Sequence, residues 1–422
     1  MQRVANVLYD LLVQPAEVTL PMVEKTAERA CPVCDGRDAL VVHHQRFVVP
    51  ENYPLPAAFD VVACARCGNV YSDTAASQAV YDAYYERFSV YEDQKTSSGS
   101  GVSGTDAQRL SDVAAWLDEC VADKDTAIVD IGCANGFLLG RLKARGFSRL
   151  LGVDPSAACV ANMRALGLEG AQGSLTRLDK NLGTFDVVIL SHVVEHLRDP
   201  RAVLGNVVAL LRPGGCIYVE VPDAARYKDY LVAPFQDFNT EHINHFSSAS
   251  LANLMRALGF ESTTRGAKVF ESSPNMPFPA IFGLWRREPS HGPVVYERDD
   301  LLASLTAYVS ASNAMLERMS RTIAKVLEQA PKVVVWGTGQ LAMKLLLETS
   351  LADADIVALI DSNPANHGKK IRGIAVEPPE ALARYPYPII VSSTIHHDAI
   401  AATIRQSLRL SNDIVSLKED AS

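Results

Sequence analysis

The stretch VDIGCANGF, residues 129–137, sets an apolar run containing Asp130 directly before a turn of small residues, Gly132, Ala134 and Gly136. The helix-periodic segment FLLGRLKARG follows at once. Small residues on such a turn let the backbone approach a ligand closely, and a helix N-terminus favours a carboxylate or phosphate. The next apolar run, RLLGVDPS, ends in Asp154, 22 residues beyond Gly132 and placed to accept hydrogen bonds from ribose hydroxyls. From Thr126 to about Phe260 short apolar runs (TAIVDIG, RLLGVD, FDVVILS, GCIYVEVP) alternate with helical periodicity, which predicts an α/β fold with a parallel sheet covered on both faces.

Outward from this core, 422 residues with 48% hydrophobic content allow two or three domains. The segment from Cys31 to about Tyr71 reads as a small module of strands, VVHHQRFVV and FDVVAC, between two cysteine loops. A Ser/Gly-rich connection lies at 91–108. KVVVWGTGQLAMKLLLE, IVALIDSNP and PIIVSS predict a second Rossmann-like unit at the C-terminus, with Gly337, Gly339 and Asp361 on its first turn and second strand. The expected boundaries are 1–80, 81–290 and 291–422.

A net charge of −9 argues against a nucleic-acid partner, because tight binding to phosphates needs clustered Lys and Arg. No run reaches the ~18 apolar residues that span a bilayer, and the N-terminus lacks a cleavage-site pattern, so the expectation is a cytoplasmic protein without a membrane partner. Of eight cysteines, Cys31, Cys34, Cys64 and Cys67 form two CxxC loops that supply four thiolates. That set predicts a closed, structural tetrahedral zinc site.

The motifs of residues 126–262 resemble those of the class I S-adenosylmethionine-dependent methyltransferases: VDIGCANG, GVDPS, FDVVILSHVVEHLRDP, and LRPGG before CIYVEVPD, in that order. The resemblance implies S-adenosylmethionine as cofactor, held by Asp130, Gly132, Ala134, Gly136, Asp154, Ser191 and His192. Ala134 stands where the middle glycine often does. Glu195 and His196 in EHL read either as a capping pair at a helix start or as active-site groups.

The module order resembles the sugar C-methyltransferases of deoxysugar pathways, which carry a Glu-His pair followed by Phe-Ser. EHINHFS, residues 241–247, matches with Glu241, His242, Phe246 and Ser247. The resemblance implies a small-molecule substrate, foremost a nucleotide-linked keto sugar, on a monomer or homodimer. Methylating a carbon beside a ketone needs a base, and imidazole suits that work at neutral pH. His242 is therefore the expected base with Glu241 as helper, and His245 the spare that packs or caps at the start of the helix SASLANLMRALGF, whose expected N-cap is Ser248 or Ser250. The family's Tyr-His before this pair is replaced by Asn239-Thr240, which leaves O- or N-methylation of another metabolite as the alternative, and RNA methylation after it. Tyr84, Tyr85, Tyr91 and Asn239 are the candidate substrate contacts.

Overall fold

All of AIVDI, residues 127–131, is buried, and its alternate side chains serve two different helical layers. Ile128 packs with Leu110, Leu139 and Met163 on one face, whereas Val129 and Ile131 pack with Leu204 and Leu251 on the other. The computed structural model describes residues 23–87, 104–179, 182–273, 276–288 and 294–418. Tyr91, most of the Ser/Gly-rich connection and the residues before Val23 lie outside them.

Four N-terminal strands, β1 (Glu24–Thr26), β2 (Asp38–Arg46), β3 (Ala58–Cys64) and β4 (Val70–Asp73), precede the core strands β5 (Ala127–Ile131), β6 (Arg149–Asp154), β7 (Glu169–Gln172), β8 (Phe185–Ser191) and β9 (Leu211–Pro222). Then come β10 (Asn244–His245) and the long hairpin β11 (Phe260–Ser273) and β12 (Met276–Arg287). The core sheet runs β11-β12-β9-β8-β5-β6-β7, parallel from β9 to β7, with the hairpin added antiparallel. LRPGG belongs to β9 itself.

β10 leaves the core and pairs antiparallel with β4, Asn244 opposite Tyr71 and His245 opposite Val70. The N-terminal sheet is thus completed by the EHINHFS segment in the order β1-β2-β3-β4-β10. Ser247, not Ser248 or Ser250, caps the following helix Ser248–Ala257: Ser250 N donates to Ser247 Oγ, and Ser247 N donates to Ser250 Oγ. Two residues that bond each other's backbone fix the chain direction on leaving β10.

The C-terminal unit contains β13 (Lys332–Trp336), β14 (Asp355–Ile360), β15 (Lys370–Ile371), β16 (Ile374–Glu377), β17 (Ile389–Val391) and β18 (Ile414–Ser416), ordered β15-β16-β14-β13-β17-β18. A helix at Leu301–Gln329 packs over it. One apolar cluster joins Phe47 and Phe59 of the N-terminal sheet, Phe235 and Phe238 of the core, and Leu305, Val333 and Val335 of this unit. Within that junction the buried Lys344 ammonium donates to Gln45 Oε1 at 2.7 Å and sits 4.3 Å over the Phe235 ring. Among the described residues no helix is long and apolar enough to cross a membrane.

The core tolerates no side chain at residue 152. A Cβ there would lie 2.3 Å from Met163 Sδ, 2.8 Å from Cys133 Sγ and 2.9 Å from Leu139 Cδ1. Gly152→Ala should cost about 1–3 kcal/mol in urea unfolding, and Met163→Ala in the same chain should recover part of that loss. An unchanged unfolding midpoint in the single variant would contradict this packing.

Candidate active site

β5, β6, β8 and β9 all end on one edge of the core sheet, where ligands of open α/β sheets bind. A cavity of about 370 Å³ opens there, lined by Asp130, Gly132, Ala134, Asp154, Ser191 and His192, and further along by Tyr85, Glu195, His196 and His242. Gly132 has φ +78° and Ala134 φ +46°, so the loop holds an alanine in the left-handed region. Asp154 Oδ2 accepts from Ala134 N at 2.9 Å, and Oδ1 from Ser156 N at 2.9 Å. The acid expected to face ribose also holds the glycine loop. Gly136 does not line the cavity: with φ +75° it turns the chain into the helix Phe137–Ala144, and a Cβ there would strike Met163. Burial, reinforced by the charge of Asp154, pushes the Asp130 carboxyl up to about 7, with Arg109 opposing.

His192, at φ +55°, carries two carboxylates on its ring: Nδ1 lies 3.1 Å from Glu195 Oε1 and Nε2 3.1 Å from Glu220 Oε1. Carboxylate oxygens only accept, so both nitrogens donate and the ring is an imidazolium. Burial alone would lower its pKa, but the two carboxylates outweigh it and hold the pKa above the usual value. Lys268 Nζ donates to Glu220 Oε2 at 2.8 Å, and the Tyr218 hydroxyl donates to the same oxygen. Against the effect of burial, Lys268 and His192 hold Glu220 well below the ordinary carboxylate range. Sequence reasoning missed Glu220 and Lys268. The available signal was a lone acid in the apolar run CIYVEVP.

EHL forms a single tight turn, Val194–His196, and the fully buried Glu195 on it lines the cavity and caps no long helix. His196 Nδ1 lies 3.1 Å from the Glu241 carbonyl oxygen and 2.8 Å from the Tyr85 hydroxyl. A carbonyl only accepts, so Nδ1 bears a proton, and Nε2 lies 3.9 Å from Glu195 Oε1. The His242 ring packs edge-on against His196 at 4.8 Å. Burial first, and then His196, lowers its pKa to about 3, so the ring is neutral.

The expected pairing of Glu241 with His242 is not what the fold builds. Glu241 Oε1 accepts from the Tyr84 hydroxyl at 2.9 Å and Oε2 from that of Tyr85 at 3.5 Å, and Glu241 does not line the cavity. The carboxylate beside the two histidines is Glu195: one ligating atom from each of Glu195, His196 and His242 lies within 4.8 Å of the others. Asn239 is likewise off the cavity wall; its Oδ1 accepts from the backbone N–H of Glu241 and of His242, forming the turn that presents them. His245 packs between Tyr227 and Phe238 with no hydrogen-bond partner for either ring nitrogen among the described residues.

The two loops that carry the cavity histidines are clasped by one buried cation. Arg29 donates to Leu197 O at the end of EHL and to Arg198 O just after it, to Ile243 O and Asn244 Oδ1 on the EHINHFS segment, and to Ser72 O of β4. Asn244 Nδ2 donates on to Val194 O and Leu197 O. Burial lowers the guanidinium pKa only to about 10, so it stays charged. Two residues further on begins the cysteine cluster, with Cys31 and Cys67 Sγ 3.5 Å apart and Cys34 and Cys64 Sγ 3.4 Å apart. Disulfides need about 2.05 Å, whereas a tetrahedron with ~2.3 Å metal–sulfur bonds has edges of about 3.8 Å. The four buried thiols fit a tetrahedral divalent ion.

A second cavity, about 570 Å³, lies at the C-terminal unit's glycine turn, between Gly337, Thr338, Asp361 and Thr394. Core residues Gln236 and Met276 complete its wall, and Met276 also lines the first cavity.

Residues 105–264 match the family described as a methyltransferase domain. The core sheet and its helices are thus a methyltransferase domain. Residues 329–415 match a second family, described as C2185-like, N-terminal. A probable S-adenosylmethionine-dependent methyltransferase of Mycolicibacterium smegmatis is 30% identical over 32% of this chain and 51% of its own. A tRNA U34 carboxymethyltransferase of Desulfotalea psychrophila is 30% identical over 32% of this chain and 46% of its own. A ubiquinone biosynthesis O-methyltransferase of Colwellia psychrerythraea is 31% identical over 26% and 46%. The chain therefore spans about half the length of these curated relatives.

Because Arg29 serves both histidine loops of the cavity wall, Arg29→Met should destabilise the chain by about 3 kcal/mol or more, since buried carbonyls are left without donors. Chemical denaturation would read the loss; wild-type stability would mean that the clasp carries no energy.

Proposed function

We propose that the protein transfers a methyl group from S-adenosylmethionine to a carbon beside the keto group of a nucleotide-linked sugar or comparable small metabolite, with His242 as general base. The observation that carries this reading is the neutral, half-buried His242 on the wall of the same cavity as the glycine loop. Gly132, Ala134, Asp130, Asp154, Ser191 and His192 would hold the cofactor, which supplies an electrophilic methyl on a sulfonium. His242 takes the acceptor's proton, and His196 and Tyr85 bound the space beside it. Glu241 fixes that wall through Tyr84, Tyr85 and its own carbonyl. Met276, shared by both cavities, supports a substrate whose nucleotide end occupies the C-terminal cavity. The four cysteines would hold one structural zinc ion.

Transfer to oxygen is the second reading, favoured by the Asn239-Thr240 departure and by the O-methyltransferases among the relatives. His242 would then deprotonate a hydroxyl. The tRNA-modifying relative gains no support from a chain of net charge −9.

Trideuteromethyl-labelled cofactor offered with nucleotide 4-keto sugars should yield a carbon-bound label by NMR. His242→Gln should lower kcat about 10²–10⁴-fold while S-adenosylhomocysteine affinity stays. Wild-type turnover by that variant would remove the base role, and an oxygen-bound label would replace the first reading by the second.

A further inference from the structure

We propose that Glu195, rather than Glu241, is the carboxylate that balances the proton taken up by His242, as the end of a buried chain of alternating charge, Lys268–Glu220–His192–Glu195. This deepens the carbon-acid reading above and rests on it.

The chain is built from contacts already in place. Lys268 holds one oxygen of Glu220, the His192 imidazolium takes the other, and the opposite nitrogen of that ring takes Glu195 Oε1. Cation and anion alternate along it, and each cation stands at hydrogen-bond distance from the next anion. The alternation then stops. Glu195 Oε2 is buried with no hydrogen-bond partner among the described residues, and His242 Nδ1 is buried and unpartnered in the same way. A buried carboxylate with one oxygen unpaired is costly, and the cost is relieved only when a positive charge arrives beside it. Proton abstraction makes that charge, because a neutral His242 becomes an imidazolium within reach of Glu195.

The other charged or titratable groups facing His242 do not offer the same service. His196 has its Nδ1–H committed to the Glu241 carbonyl, and an imidazole in neither of its ordinary forms supplies a negative charge to balance an imidazolium. His192 is itself a cation. Glu241, adjacent in sequence, has its carboxylate turned to the Tyr84 and Tyr85 hydroxyls. The His245 ring packs against Phe238 and Tyr227. The same Glu195, His196 and His242 could also gather round a divalent ion. The His192 imidazolium, 3.1 Å from Glu195, disfavours a further double charge there.

In the half-reaction the acceptor's C–H bond breaks, the proton passes to His242, and the electron pair stays on carbon, delocalised onto the keto oxygen. With S-adenosylhomocysteine bound and no methyl donor, solvent deuterium returns to the same carbon, and NMR follows that exchange apart from methyl transfer. Glu195→Gln should slow exchange about 10²-fold or more, with S-adenosylhomocysteine affinity unchanged. Glu195→Asp, which keeps the charge, should stay within about tenfold of wild type, and Glu241→Gln should do the same. Exchange at the wild-type rate in Glu195→Gln would overturn the assignment. Should that variant fail to bind S-adenosylhomocysteine, a loss confined to Glu241→Gln, or an Asp variant far slower than tenfold, would overturn it instead. A second equivalent of tightly bound metal, lost from Glu195→Gln and His242→Gln alike, would replace the proton site by a metal site. No exchange in the wild type would take down the carbon-acid reading itself, a result distinct from all of these.

Discussion

The buried guanidinium of Arg29 is the constraint on which the rest of the site depends. It is surrounded by backbone carbonyls and one side-chain amide, and each hydrogen bond from a charged donor in such a setting contributes about 1.5–3 kcal/mol. Its targets flank both histidine loops, and its own backbone is anchored beside the cysteine cluster, where Arg29 N donates to Asp73 Oδ1 at 2.7 Å. The N-terminal sheet, β10 and the cavity wall are therefore tied together by the same buried side chain. A metal at the four cysteines would order the loop that carries this arginine, which gives the cysteine module a bearing on the cleft although no cysteine of it lines the cavity.

Within the cleft, charge is managed by pairing. Glu195 and Glu220 remain ionised in spite of burial because cations sit in direct contact with them. Asp130, equally buried but facing Asp154, is pushed the other way. The two ends of the cavity therefore differ: near the glycine loop a carboxyl is held close to neutral, and near the histidines a fixed anion waits beside an uncharged ring. That contrast suits a neutral nucleoside at one end and a proton transfer at the other.

The parallel core and its glycine loop were legible because their signals are local: a turn of small residues after an apolar strand, and an acid at the end of the next. The paired CxxC loops were legible for the same reason, as was the packing role of His245. The partner of His242 was not. Adjacency in EHINHFS suggests Glu241, but pairing of β10 with β4 and the Asn239 turn direct that side chain toward the tyrosines, and Glu195 arrives from a turn 46 positions earlier. Contacts made by strand pairing across that distance leave no periodic trace. The hairpin β11–β12 was missed although FESTTRGAKVFESS alternates between its two faces, because its polar outer residues imitate a loop. Tyr91 falls outside the described residues, and Asn239 serves the backbone in place of a substrate.

The most direct test of the account is calorimetric titration of the purified protein with S-adenosylhomocysteine and, separately, with NAD. The account predicts a one-to-one complex with S-adenosylhomocysteine at a Kd of order ~1–100 μM and no heat of binding from NAD at the core. Binding of NAD alone would contradict it and would move attention from Asp154 to Gly337, Gly339 and Asp361.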